Sequence, residues 1–364
     1  MSIYSYLIYP TALLVLSKVL RNPQPQQYDI TPYVSIIISA YNEELVIKEK
    51  ILNTLALDYP NELLEIIISS DGSTDRTNEI VSEIKDSRVV LRSFERLGKT
   101  ACLNRTVPDA RGDIILFTDA NSMFESNLLN RVVRNFTSSD IGLVTGWTKY
   151  RSHKAAQGTT GIYSSLEKIT KHWESQISSC VGADGAIFAI RKSLYQPLKE
   201  HEINDFVIPL HVIKQGKRVV LDPEVFCFEE PSKEIRGEYR RQVRITTRTL
   251  NAIRHHMEFI NPLRFGFFSF FLISHKVFRF TVPFFLMGVF MTNILILDKR
   301  PFLYSMIFFG QVLFIVGGIL NILGKVNGRI SGFCKIFLIT SAAQLVGWMR
   351  TFLGVSDTMW TPLR

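Results

Sequence analysis

Apolar residues gather at the two ends of this chain, while the long middle stretch mixes apolar and polar positions in short groups. Three runs near the carboxyl end, Phe280 to Leu297, Phe302 to Leu323 and Phe333 to Phe352, each approach the roughly 20 residues a helix needs to cross hydrocarbon. Because the three follow one another, they are read as membrane spans rather than core helices. Ile3 to Leu20 is a fourth apolar run, closed by Lys18, Arg21 and the breaker stretch Asn22-Pro23-Gln24-Pro25-Gln26-Gln27. A cleaved signal carries its charge before the apolar run, and here the charge follows it, so a retained anchor is expected. Leu263 to Ser274 is also apolar, but Lys276 and Arg279 follow at once. Such charges are costly in mid-bilayer, so this segment is expected along the interface.

The middle stretch repeats a different pattern. Val34 to Ser39 is a β-branched run ending in Ala40-Tyr41-Asn42-Glu43-Glu44, after which 45–57 reads as a helix. Leu64 to Ser69 does the same, ending in Ser70-Asp71-Gly72-Ser73-Thr74-Asp75, with a helix over 77–84 beyond it. Further strands are expected at 89–92 and 113–118, and a helix at 162–178. Strands alternating with helices predict an α/β fold, a mostly parallel, doubly wound, Rossmann-like sheet covered on both faces. The expected organisation is an anchor over 1–21, a catalytic domain over 30–235, a basic and amphipathic interfacial segment over 236–279, three spans over 280–354 and a tail over 355–364.

Charge adds an orientation. Lys18, Arg21, Lys325 and Arg329 mark cytoplasmic ends of the spans, which puts the middle domain in the cytoplasm; Asp298-Lys299-Arg300 falls on the opposite side and counts against this. The expectation is an integral membrane protein, of the inner membrane if the cell is bacterial. The 42 Lys and Arg against 33 Asp and Glu give a net charge of +9, which suits nucleic acid, an anionic membrane or phosphate-bearing substrates. With membrane spans in the chain, lipid and phosphate-bearing substrates are the partners expected, and nucleic acid is not. Cys102, Cys180, Cys227 and Cys334 are too scattered for a C-x-x-C pair or a zinc set and read as reduced thiols.

In doubly wound sheets, ligands sit beyond the carboxyl ends of the strands. Those ends supply Tyr41, Glu43, Asp71, Lys99 and Asp119, a set suited to ribose hydroxyls, a base edge and a metal-bound diphosphate. No Gly-x-Gly-x-x-Gly follows the first strand, and Gly98-Lys99-Thr100 lacks the upstream glycine of a P-loop, which excludes the usual dinucleotide and NTPase signatures. Plainer readings exist for each residue: Asp71 suits a turn or helix cap, and Glu43 a first-turn helix acid.

SAYNEE at 39–44, SSDGSTDRT at 69–77, GKTACLN at 98–104 and FTDAN at 117–121 resemble, in this order, the motifs of family 2 glycosyltransferases of the GT-A type. GADGAIFAIR at 182–191 and RRQVRI at 240–245, followed by spans, resemble the branch of cellulose, hyaluronan and poly-N-acetylglucosamine synthases. The resemblance implies a uridine pocket lined by Tyr41, Glu43 and Asp71, with Lys99 beside the base or phosphates. It implies that Asp119 and Asn121, in the place of a D-x-D motif, help hold Mg²⁺ or Mn²⁺, although Asn121 brings an oxygen without a charge. It implies Asp205 as the base, with Asp184 the alternative or a residue shaping the acceptor end; Asn204 replaces the first acid of the family's usual pair. Arg244 stands where the Arg of Q-x-x-R-W contacts the diphosphate, whereas Arg241 and Ile245 replace its Gln and Trp. Arg241 is then assigned to the acceptor. The plainer reading of this segment is a basic helix on anionic headgroups, with Arg240, Arg244 and Arg248 at helical spacing.

The implied activity is inverting transfer of a hexose or N-acetylhexosamine from a UDP-sugar to a growing β-linked polysaccharide. The lost Trp favours one rival, a single transfer to a lipid-linked saccharide or polyprenyl phosphate. The lost acids favour another, a non-catalytic nucleotide-sensing scaffold. An oligomer or an accessory subunit completes the partners considered. Trp173, in the helix over 162–178, is read as core packing.

Overall fold

The computed structural model describes residues 3–20, 27–151, 159–230, 235–296 and 302–355. Arg21, the breaker residues 22–26, Asp298-Lys299-Arg300 and the tail from 356 lie outside the described residues.

The two apolar runs that define the first strands pair as expected. Strand β1 (Val34–Ala40) is buried along its whole length and runs parallel to β2 (Leu64–Asp71) and β4 (Ile114–Asp119), while β3 (Val89–Phe94) flanks β2. Three more strands complete the sheet: β5 (Ile141–Tyr150), β6 (Ile187–Arg191) and β7 (Arg218–Glu229), in the order β3-β2-β1-β4-β6-β5-β7. Only β6 is antiparallel to its neighbours. Alternation along β1 sends Ile36 and Ile38 into one core and Ile37 into the other, as the two-residue period of a strand requires. Helices α2 (Ile47–Leu55) and α3 (Thr77–Glu83) cover the first core through Ile47, Ile51 and Val81; α4 (Lys99–Thr106) covers the second through Leu103. A continuously apolar strand is the signature of a sheet buried on both faces. Short α5 (Leu128–Val133) adds Leu128, Leu129, Val132 and Val133 to the first core.

Beyond the sheet, α6 (Thr159–Ile177), α7 (Asn204–Lys214) and α8 (Ile235–His255) form the walls above its carboxyl ends. The amino-terminal helix, with α1 at Tyr9–Val19, lays one stripe on the domain: Tyr9 and Leu13 are fully buried, and the Tyr9 hydroxyl donates to Glu174 Oε1 at 2.6 Å. Its opposite stripe, with Leu7, Ile8, Val15 and Val19, is exposed.

Among the described residues, three helices are long and apolar enough to cross a membrane: α9 (Phe267–Leu295), α10 (Phe302–Ile322) and α11 (Arg329–Phe352). The apolar segments on either side of Lys276 and Arg279 are one helix from Phe267 onward, passing through a π-helical stretch at Ile273–Val277. The charges inside it are answered rather than avoided. Glu167 on α6 accepts from His275 Nε2 at 2.9 Å and from Lys276 Nζ at 3.2 Å, and Arg279 Nη1 reaches it at 2.5 Å. Helix α11 packs against α8 closely enough that a Cβ on Gly347 would stand 2.6 Å from Thr246 Cγ2.

Candidate active site

Loops at the carboxyl ends of β1 and β2 are stitched together by side chains that the sequence places in turns. Asn42 takes a left-handed φ of 53° and accepts from Thr74 N at 2.8 Å, while its own N–H donates to Ser73 Oγ at 3.1 Å. Asparagine tolerates that conformation better than most side chains. Glu43 is buried; its N–H donates to Thr77 Oγ1 at 2.8 Å, and its carbonyl accepts from Val46 and Ile47 at the start of α2. Asp71, also buried, accepts from Leu97 N at 2.8 Å and Gly98 N at 2.9 Å and pairs with Arg96. The Arg96 guanidinium in turn stacks 3.3 Å from the Tyr41 ring centroid. Gly72 permits this closure: its φ is +68°, and a Cβ there would meet Arg96 N at 2.7 Å.

Next to these loops opens a cavity of about 320 Å³. One side carries Lys99 from the first turn of α4 and Asp119 from the end of β4, with Lys99 Nζ 2.5 Å from Asp119 Oδ1. The floor carries Asp184 and Asp205, and α8 contributes Arg241 and Arg244. The structure thus brings six of the sequence-predicted residues to one cavity. Tyr41, Glu43 and Asp71 occupy the adjoining loops with Arg96 among them, and Asn121 is exposed on the loop after β4.

Asp205 lies in the first turn of α7, and its carbonyl accepts from Ala183 N at 2.7 Å. Gly185 leaves room for its carboxylate: a Cβ there would stand 2.8 Å from Asp205 Oδ2. Burial raises the Asp205 pKa, and nearby Lys99, Lys171 and Arg248 oppose that shift. Asp184 accepts from Thr148 Oγ1 at 3.0 Å and from Ala186 N at 3.1 Å; burial raises its pKa as well, against the pull of Lys171. Two carboxyls beside fixed cations can accept a proton from a nearby hydroxyl. Arg241 pairs with Glu238 at 3.0 Å and faces Tyr150 and Glu229. The Asp71-bonded thiol of Cys102 is pushed up to about 12 by burial, which keeps it protonated and inert.

Several cavity residues escaped sequence reasoning. Arg248 sits on α8 one turn beyond Arg244, but it is buried and its Nη2 donates to the Glu202 carbonyl at 2.5 Å, so this face of α8 is not a lipid-facing basic stripe. Lys171 is buried on α6 and donates to the Ala183 carbonyl at 3.2 Å. Glu229, at the end of β7, accepts from Ser122 Oγ at 2.5 Å, and burial pushes its pKa up to about 7, aided by Asp119. Trp147 on β5 also lines the cavity, whereas Trp173 packs against the core as expected. Lys171 and Arg248 carried a signal only as charged residues on otherwise mixed helices. Among the described residues, no group of three or more His, Cys, Asp or Glu stands together as a metal cluster.

Residues 35–198 match the glycosyl transferase family 2. The chain is 27% identical over 229 residues to the probable glycosyltransferase YdaM of Bacillus subtilis, covering 58% of this chain and 54% of the relative. It is 25% identical over 220 residues to the poly-beta-1,6-N-acetyl-D-glucosamine synthase of Staphylococcus aureus, covering 58% of this chain and 53% of that one. Over 137 residues it is 36% identical to the beta-monoglucosyldiacylglycerol synthase of a Nostoc species, covering 35% and 29% respectively. At 54%, 29% and 53% of their lengths, the chain spans about half or less of these curated relatives. Among solved structures, its fold matches the mannosyltransferase PcManGT from Pyrobaculum calidifontis in complex with GDP-Man and Mn²⁺, at a TM-score of 0.75 and 18% identity, covering 96% of both chains. The fold is therefore of the GT-A type.

Proposed function

We propose that this chain, which carries a glycosyl transferase family 2 domain, transfers a hexose or N-acetylhexosamine from a UDP-sugar to a saccharide acceptor at the cytoplasmic membrane face, with inversion at the transferred carbon. The observation that carries this reading is the single cavity joining Lys99 and Asp119 at the strand ends to the half-buried Asp205 and Asp184 and to the arginines of α8.

Asp205 is the base in this reading. It removes the proton of the acceptor hydroxyl as that oxygen bonds to the sugar carbon and the bond to the diphosphate breaks. Burial gives it proton affinity above an ordinary aspartate, while Lys99, Lys171 and Arg248 keep the ionised form accessible. Asp184 shapes the acceptor side, fixed by Thr148 and the Ala186 N–H. Arg244 and Lys99 attract the diphosphate, and Tyr41, Glu43 and Asp71 receive the uridine once Arg96 yields its place on the Tyr41 ring.

The donor set suits a hard cation: the Asp119 carboxylate and the Asn121 amide oxygen are oxygen ligands, and a Lys99 ammonium already rests against Asp119. Asp119 and Asn121 would hold Mg²⁺ or Mn²⁺. Bound there, the ion neutralises charge on the leaving diphosphate.

A polysaccharide product is the first reading. Ile245, which lines the cavity where an aromatic platform would help a polymer slide, supports a second, a single transfer to a lipid-linked or polyprenyl phosphate acceptor. Membranes containing the wild-type chain are to be incubated with radiolabelled UDP-sugars and Mn²⁺, beside Asp205→Asn, and any product sized. Long polymer lost in the variant supports the synthase, and a short lipid-extractable product supports single transfer. UDP binding without turnover in the wild type overturns both and leaves a nucleotide-sensing scaffold.

A further inference from the structure

Glu202 stands three residues before Asp205, in the turn that leads into α7, and its side chain is only 2% exposed. One carboxylate oxygen meets His256 Nε2 at 3.0 Å, and the other accepts from Lys199 N at 2.9 Å. An ionised carboxylate can only accept, so the His256 ring turns an N–H toward it. The Glu202 carbonyl accepts from Thr100 Oγ1 at 2.8 Å and from Arg248 Nη2 at 2.5 Å.

These partners come from separate walls of the cavity. Thr100 follows Lys99 in the first turn of α4 and Arg248 belongs to α8; both line the cavity together with Asp205. His256 directly follows α8, so the Glu202 carbonyl is held by the body of that helix and its side chain by the helix end. Backbone bonds shape the turn itself: Glu202 N donates to the Lys199 carbonyl at 2.9 Å, and Val207 N to that of Ile203 at 2.9 Å. Ala183 N then holds the Asp205 carbonyl at 2.7 Å. The short stretch that ends in Asp205 is thus pinned at 202 and again at 205. Hydrogen bonds to an ionised group are short and strong, so the pair with His256 fixes how this stretch sits against α8.

We propose that Glu202 is a positioning residue for the base: by joining the turn before α7 to His256, it sets where the Asp205 carboxylate stands for the acceptor hydroxyl. This rests on the nucleotide-sugar reading above, with Asp205 as base. Glu202 is not among the residues that line the cavity, so it acts through the backbone between 202 and 205. A misplacement of about 1 Å can cost about 100-fold in rate, so a small shift of that backbone is enough to register.

The test uses membranes containing the full chain, the radiolabelled UDP-sugars and Mn²⁺, with kcat expressed per UDP-binding site so that misfolded protein is not counted. Glu202→Ala is expected to lower kcat about 10-fold or more. The KM for the UDP-sugar and the affinity for UDP should stay within about twofold, because the carbonyl held by Thr100 and Arg248 is present in any residue. His256→Leu should act in the same way, and it decides the matter if Glu202→Ala does not fold. His256→Gln, which keeps an N–H for the carboxylate, should restore most of the rate. Since the two residues act as one contact, Glu202→Ala/His256→Leu should fall no further than the slower single variant. Unchanged kcat per site in both single variants, a loss confined to KM or UDP affinity, or losses that simply add in the double variant would each overturn the proposal. If the wild type transfers no UDP-sugar, the nucleotide-sugar reading fails and the role of Glu202 with it; an active wild type with unaffected variants removes Glu202 alone.

Discussion

Asp205 holds a half-buried carboxyl in the first turn of α7, with three cations near it and one further carboxyl, Asp184, working against its ionisation. Since a base acts only when ionised, activity should fall as pH drops through a pKa lying above the ordinary aspartate range of about 3.9. The sign for stability is the reverse of a salt-bridged acid. The folded chain keeps a proton that the unfolded chain has released, so stability falls as pH rises from the ordinary aspartate pKa through the raised one. Lys171 lowers the Asp205 pKa, so Lys171→Met should move the acid limb of the pH–rate profile to higher pH, with donor affinity unchanged in a UDP titration. A limb at the same pH in both proteins would remove Lys171 from the account. Of the acids that line the cavity, Asp119 was legible as the polar end of a strand, and Asp184 and Asp205 through the family resemblance rather than through pattern. Lys171, Arg248 and Glu229 were not, since a charge on a helix or strand end reads as solvated until another element covers it.

Helix α6 is where the sheet domain meets α9, the first of the long apolar helices. Its Glu167 accepts from His275, Lys276 and Arg279 on α9, and these partners hold its pKa well below the usual carboxylate range despite burial. His275 also reaches Glu174, which the Tyr9 hydroxyl contacts from the amino-terminal helix. Three helices from distant parts of the chain thus close on two carboxylates. Removing one partner from a buried ion cluster typically costs about 3–5 kcal/mol, because the remaining charges stay desolvated. Glu167→Gln is therefore expected to loosen α9 from α6. The measurement is amide hydrogen exchange over 267–279, which should accelerate by orders of magnitude while β1 and β2 stay protected. Equal protection in the two proteins would show that apolar packing alone holds the helix. The charges at Lys276 and Arg279 mark a boundary in the sequence, but a carboxylate more than a hundred residues away lets one helix run through it.

For the molecule as a whole, the proposal sets the cavity on the cytoplasmic side, with the Lys325–Arg329 turn between α10 and α11 on that same side. All four native cysteines are buried, so Asn327→Cys would present a new thiol in that turn. In intact cells a membrane-impermeant maleimide should leave it unlabelled, and in inverted vesicles it should label; the opposite result places the catalytic domain outside. The sequence by itself determined part of the layering: apolar, β-branched runs marked β1 to β4 but not β5, β6 or β7, the three apolar runs marked helices long enough to cross a membrane, and polar residues at the strand ends marked where the cavity opens. These follow from local patterns, which depend on neighbours a few positions apart. Only the tertiary structure decided that Arg248 faces the cavity, that Glu202 ties the turn before Asp205 to His256, that Arg96 covers Tyr41, and that Glu167 anchors α9. Each of those depends on contacts between elements far apart in the chain, where burial and charge pairing, rather than any sequence period, choose the partner.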